Sequence, residues 1–157
     1  MQDLARLPDG KAVTTRTMFS RETAVSTKIK ADLSIIWSLL TNAADFARWN
    51  STIIALDGTI QVGETVRLKS TLDENRTFNL KVKEMVPEKR LVWGDSQGSR
   101  VYLLTPGANG VVFSMTEKIG GPFFPLFARF IPSFDASFEQ FAADLKQEAE
   151  AIQNSKN

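Results

Sequence analysis

Few side chains in this sequence are able to do chemistry. The 157 residues include no histidine and no cysteine. That removes the usual base of a nucleophilic triad, the thiol nucleophile and the two commonest zinc ligands. The remaining candidates are Tyr102, Glu117, Arg129 and Ser70. In "SRVYLL" Tyr102 alternates in step with Leu104, and in "VVFSMTEKI" Glu117 alternates with Phe113 and Met115. Side chains two apart on a strand share a face, so both polar residues belong with the apolar set. There they form a candidate acid–base couple. The other reading of Glu117 is that its place near a strand end lets the carboxylate reach water. Arg129 is the only charge in "GPFFPLFARFIPSF". Either its guanidinium snorkels to solvent, or it sits at a cavity mouth and holds an acidic head group. No paired carboxylates, phosphate-binding glycine loop or metal-ligand cluster is present, and "GANG" and "IGG" are turn glycines. The expectation is a protein without metal or cofactor, leaning away from catalysis.

Composition narrows the partners. Nineteen basic residues against eighteen acidic ones leave a net charge of +1, which gives no electrostatic footprint for nucleic acid. The N-terminal "MQDLARLPDGKAVTTRTMF" lacks the apolar run of a signal peptide. No apolar stretch reaches the ~18–20 residues that span a bilayer. A cytoplasmic protein with no stable membrane insertion is expected. Homodimerisation is left open.

The elements that would position these residues follow from periodicity. Residues 1–20 read as a leader, flexible or adding an edge strand. "ETAVSTKIKA" alternates as a strand. In "DLSIIWSLLT" Leu33, Ile36, Trp37 and Leu40 recur at helical spacing, with Asp32 placed to cap. "AADFARWN" reads as a second short helix, with Asn42 placed to cap it. Six strands follow: "TIIAL", "ETVRLKST", "TFNLKVKEM", "RLVWGD", "SRVYLL" and "VVFSMTEKI", with turns at "LDEN", "PEKR" and "PGANG". Their alternation predicts an antiparallel meander with one wet and one covered face. From Phe134, the residues Phe138, Phe141, Leu145 and Ile152 form one stripe of a long helix able to cover that sheet. The fold class is therefore α+β, in a single domain over 21–152 with a tail at 153–157.

The stretch before that helix holds five phenylalanines and three prolines in fourteen residues. Length and prolines exclude a membrane helix. It reads as a short helical segment, with Phe123, Phe127 and Phe130 on one face, joined at Pro132–Ser133 to the long helix. The reading stands between a rigid kink and a gate hinged at Gly120–Gly121 and Pro132. The rings are candidate core, yet they exceed what one helix on one sheet needs, which suggests a cavity.

The order of elements resembles the helix-grip superfamily of START lipid-binding domains and the major birch pollen allergen, closest to bacterial polyketide cyclase/dehydrase-like (SRPBCC) proteins. The carriers are "IKADLSIIWSLLTNAADFARWN", with its aromatic-rich W-x-L-L-T…F-x-x-W-N run, "VPEKRLVWGD", and "YLLTPGANGVVFSMTEKIGGPFFPLFARF". Together they cover about residues 22–152. The resemblance implies a curved sheet of about seven strands gripped by the terminal helix. It also implies a hydrophobic small molecule (lipid-, polyketide- or aromatic-like) bound between them. The lining it implies is Trp49, Phe78, Leu80, Trp93, Tyr102, Leu104, Phe113, Met115, Phe127, Phe130, Phe134 and Phe138. Trp37 is expected to pack the first helix on the sheet, and Trp49 fits either role. Two other readings stay open: a cofactor-free cyclase or dehydratase working through Tyr102 and Glu117, and an interaction module with a filled core.

Overall fold

The computed structural model describes residues 3–156. Eight antiparallel strands form one open sheet: β1 (Val13–Arg16), β2 (Ser20–Ile29), β3 (Ile53–Asp57), β4 (Thr65–Ser70), β5 (Asp73–Val86), β6 (Arg90–Gly94), β7 (Gly98–Gly107) and β8 (Gly110–Gly120). Their order is β1-β2-β8-β7-β6-β5-β4-β3. The meander β3–β8 thus folds back until β8 pairs with β2. Between β2 and β3 lie α1 (Leu33–Thr41), a 3-10 turn (Ala43–Asp45) and α2 (Phe46–Trp49). After β8 come α3 (Phe124–Phe127), a second 3-10 turn (Ala128–Phe130) and α4 (Asp135–Ser155). This is the α+β helix-grip arrangement. Among the described residues, no helix is long and apolar enough to cross a membrane.

The grip has an apolar and a polar part. Phe138, Phe141, Ala142, Leu145 and Ala149 of α4 are buried against the sheet. The acids flanking that stripe accept hydrogen bonds from backbone and side chains of neighbouring segments. Glu139 Oε2 accepts from Ala12 N at 2.9 Å, Glu150 Oε2 from Lys30 N at 2.9 Å, and Asp144 Oδ2 from Ser51 N at 2.8 Å. Thr14 donates to Asp135, and Arg48 pairs with Glu148 at 2.7 Å.

Several local expectations are corrected. Of the two readings of the N-terminal segment, the edge strand is the one found: Val13–Arg16 pairs with β2, Asp9 bridges to Ser26, and Ala12 and Thr14 hold α4. Met1 and Gln2 lie outside the described residues. The sheet therefore has eight strands rather than about seven. "LDEN" is not the turn; β5 begins at Asp73, and the chain reverses at Thr71–Leu72, where Ser70 Oγ accepts from Leu72 N at 3.1 Å. The register then slips between Leu68 and Ser70, and the bulge keeps polar residues extended that a turn propensity would claim. Likewise β7 runs through Pro106, because β8 continues to pair with it as far as Gly110. In α1 the buried face is Ile35, Ile36, Leu39 and Leu40, with Leu33 and Trp37 half-buried at its edge. Neither Asp32 nor Asn42 makes a side-chain cap. The terminal helix continues to Ser155, and Gln153 Oε1 accepts from Asp32 N at 2.9 Å.

Candidate functional site

Sheet and terminal helix do not pack equally along their length. In the middle, Phe141 closes the gap. Its ring lies 5.8 Å from Phe46, 6.1 Å from Trp49, 5.8 Å from Tyr102 and 6.1 Å from Phe113. Tyr102, Leu104, Phe113, Met115 and Phe138 are all buried there, in solid packing. Trp49 belongs to the same cluster, 4.7 Å from Phe46. These residues face the layer that the sequence assigns them to, but they fill it.

Toward the other end, beneath the joint of α3 and α4, the packing opens into a cavity of about 220 Å³. Phe78 and Leu80 from β5, Trp93 from β6, Ile119 from β8 and Phe134 at the start of α4 wall it. Phe130 stands at its mouth, 71% exposed. Of the residues named from sequence, Phe78, Leu80, Trp93, Phe130 and Phe134 lie at this cavity. Phe127 does not: it packs edge-on against Phe124, 5.7 Å away. In α3 the buried ring is Phe124, while Phe123 is 69% exposed. The apolar face is therefore not the Phe123–Phe127–Phe130 row. The segment forms just one α-turn and a 3-10 turn, too short to hold an i, i+4, i+7 face.

The cavity also contains a buried ion pair. Arg100 on β7 lies opposite Glu117 on β8. Its Nε donates to Glu117 Oε1 at 2.7 Å, with the two side chains 11% and 19% exposed. Glu117 thus does not run out to water at a strand end; the cross-strand arginine meets it first. The Arg100 guanidinium also lies over the Phe138 ring, 5.0 Å from its centre. Burial alone would lower the pKa of Arg100, but Glu117 and then Tyr102 outweigh it, and the guanidinium is held charged above its ordinary range. For Tyr102, burial is the largest influence and raises its pKa against the opposing pull of Arg100. Its hydroxyl is a neutral phenol beside the guanidinium, without a partner at hydrogen-bonding geometry. Trp93 stands opposite Arg100 on β6 and meets Tyr102 edge to face at 5.2 Å. Its Nε1–H is buried and unpartnered.

Two arginines of low exposure, Arg100 and Arg21, escape a reading of the sequence that looks only at Arg129. Arg100 shares strand parity with Tyr102 and Leu104, which was the available signal. Arg21 is buried on β2; its Nη1 and Nη2 donate to the carbonyls of Ile131 and Pro132 at 3.2 and 2.8 Å, and its guanidinium lies 4.6 Å over Phe134. It ties down the joint that roofs the cavity. Arg129 itself is exposed, with its guanidinium 4.8 Å from the Phe130 ring, outside the cavity wall. Ser70 is at the wall, with its hydroxyl engaged in the β4–β5 turn.

Residues 30–149 match the family model described as "Activator of Hsp90 ATPase homolog 1-like protein". The chain belongs to this family. The match covers most of the chain, including all of α1, the strands β3–β8 and most of α4. No curated protein sequence matches the chain. Among solved structures, the chain is similar to protein EF2215 from Enterococcus faecalis, at 17% identity and a TM-score of 0.66, over 90% of this chain and 78% of that one. A Rhodobacter sphaeroides protein matches at 19% identity and 0.66, over 90% and 99%. DynU16, of the dynemicin biosynthetic locus, matches at 18% identity and 0.63 over 85% of this chain. The aligned region spans about half of DynU16, 49%. At these identities the likeness establishes the helix-grip fold, on which this Hsp90-activator-like family is built.

Proposed function

We propose that the protein binds a hydrophobic small molecule of one or two rings in the cavity between the sheet and the α3–α4 joint. The observation that carries this reading is the cavity itself. It is walled mainly by apolar side chains, has a mouth at Phe130, and contains a single buried ion pair, which is the general description of a small-molecule site. Size limits the ligand. Roughly 150 Å³ accommodates one benzene ring, so about 220 Å³ suits an aromatic or compact polyketide-like molecule better than a long acyl chain. A relative by fold from a biosynthetic locus, DynU16, is in keeping with small-molecule handling. The family's name refers to activation of a chaperone ATPase. Such an activity between proteins has no need of this cavity, and a filled-core interaction module would lack it.

The rival reading is a cofactor-free cyclase or dehydratase working through Tyr102 and Glu117. Glu117 does line the cavity. However, Tyr102 is packed beneath it as a neutral phenol, and Glu117 is fixed by Arg100. A general base must reach the proton it takes, and this carboxylate is already engaged by Arg100 Nε at 2.7 Å. Calorimetric titration with tetralin tests the binding reading. One molecule should bind per chain, and Leu80→Phe, which thickens the wall, should weaken it. No heat and no binding would overturn the proposal. Turnover of a polyketide analogue that disappears in Glu117→Gln would favour the rival.

A further inference from the structure

The inner end of the cavity has a surplus of hydrogen-bond donors. Arg100 has five N–H bonds on its guanidinium, and its Nε uses one of them on Glu117. The Trp93 indole is a donor only. Trp93 is 2% exposed, lines the cavity, and leaves its Nε1–H buried without a partner. The neighbouring Tyr102 hydroxyl is buried beside the Arg100 guanidinium, can donate or accept, and meets no partner at hydrogen-bonding geometry. Of the carboxylates at the wall, Glu117 is the one bonded to this donor group. A buried N–H or O–H left unpaired is costly, and native folds rarely leave one so. The missing component is therefore an acceptor.

Charge decides what kind of acceptor. Arg100 and Glu117 already neutralise each other in the interior, at 11% and 19% exposure. An anionic ligand would leave one uncompensated negative charge in a largely desolvated site, and that is expensive. Acidic side chains at the wall, Asp73 and Asp95, add repulsion, with Arg76 as the one further cation there. A neutral carbonyl oxygen carries no net charge, has two lone pairs, and can accept from two donors at once.

We propose that the cavity selects neutral ring ketones and related carbonyl compounds, with the carbonyl oxygen held between Trp93 Nε1 and the Arg100 guanidinium and the ring against Phe78, Leu80 and Phe134. This rests on the small-molecule reading above and specifies its chemistry. Glu117 then serves as a positioning residue. It anchors Nε of Arg100, which leaves the terminal nitrogens of the guanidinium for the ligand.

A matched set of three probes tests it: 1-tetralone, tetralin, which has the same rings without the oxygen, and 2-naphthoate, an anion of similar size. Affinities are measured by calorimetry on the full chain, and the Trp93 indole N–H is followed by nitrogen-15 NMR, its signal assigned by its loss in Trp93→Phe. The ketone should bind about tenfold more tightly than tetralin, the gain expected of hydrogen bonds that involve a charged donor. It should also shift the Trp93 indole signal, and the naphthoate should be the weakest of the three. Trp93→Phe enlarges the cavity and changes both affinities, so the ratio of tetralone to tetralin affinity is read; that ratio should fall toward one. Equal binding of tetralone and tetralin, or tightest binding of naphthoate, would overturn the carbonyl selection and leave the small-molecule reading standing. Failure of all three to bind would overturn both. Because Arg100 alone cannot be removed without stranding Glu117, the arginine is tested in the paired variant Arg100→Met/Glu117→Gln. In the paired variant the ratio of tetralone to tetralin affinity should fall toward one; an undiminished ratio there would remove Arg100 from the proposal.

Discussion

Tyr102 is the only tyrosine in the chain, so its ionisation can be read directly from near-ultraviolet absorbance. Burial raises its pKa and Arg100 opposes this without prevailing. A folded pKa above the unfolded one means that the neutral phenol is favoured by folding. Its contribution to stability is present below the unfolded value, about 10, and is lost as pH rises through the folded value. Native protein should therefore show phenolate only above the ordinary range, and denatured protein should return to about 10. Titration of native protein at the ordinary value would mean that the hydroxyl meets water, and would remove Tyr102 from the dry interior beside Arg100. At this scale the sequence was informative about faces and silent about depth along them. Strand alternation put Tyr102, Phe113, Met115 and Glu117 on the covered side, where they are. It did not tell which end of that side is solid, because the ring that closes the middle, Phe141, comes from α4, far away in sequence. Arg100 had the same parity as its neighbours, but a charged residue near a strand start reads by default as solvent-facing. Only the cross-strand register with Glu117 shows why it can be buried.

Strands and helices were largely legible as elements, since period two and period 3.6 are set by backbone geometry and survive tertiary packing. Legibility failed where local preference met a partner outside the segment. The segment "LDEN" has turn residues, yet Asp73 extends because it pairs with Ser70 across a bulge. The acids of α4 look like an ordinary wet face, yet several of them bind backbone N–H groups of other elements. That difference gives a pH-dependent grip. For Glu150, burial acts to raise the pKa, but the hydrogen bond from the Lys30 backbone and the ion pair with Lys146 outweigh it, and the net shift is downward. A carboxylate depressed in the folded state contributes stability above its unfolded value, about 4.3. That contribution is lost as pH falls through the folded value. Chemical denaturation from pH 7 to pH 3 should show stability falling on the acid side. In Glu150→Gln the protein should be less stable at neutral pH, and its acid limb should be flatter. An unchanged difference between the two proteins at every pH would show that the carboxylate charge plays no part in fastening the helix.

For the molecule as a whole, the question is how the proposed ligand would reach a cavity roofed by chain. The roof is α3, the 3-10 turn and the joint to α4. It carries three of the exposed large apolar side chains among the described residues: Phe123, Leu126 and Phe130 are 69%, 72% and 71% exposed. Its two ends are held differently. At Gly121 the backbone has φ 141° with open space around the α-carbon, a conformation that glycine adopts freely. At the other end Arg21 donates to the carbonyls of Ile131 and Pro132. Between these ends the backbone bonds are short-range, Phe124 N to Gly121 O at 3.1 Å, Leu126 N to Phe123 O at 3.0 Å, Ala128 N to Phe124 O and Ile131 N to Ala128 O at 3.2 Å, and the buried ring is Phe124. Few buried contacts and local hydrogen bonds mark a low-stability unit that opens before the rest of the fold, and access elements are drawn from such units. The roof should therefore swing from Gly121 about a fixed Arg21 anchor, rather than hinge freely at both ends as the glycine pair and Pro132 suggest from sequence. Hydrogen exchange measures this. Amides of Phe123, Phe124, Leu126 and Phe127 should exchange much faster than those of the Phe141–Leu145 turn, and saturating 1-tetralone should slow them. Arg21→Met should extend the fast-exchanging region through Ile131 toward the start of α4. Roof amides as slow as the α4 interior, unaffected by ligand or by loss of Arg21, would make this segment a rigid kink and require the ligand to enter elsewhere.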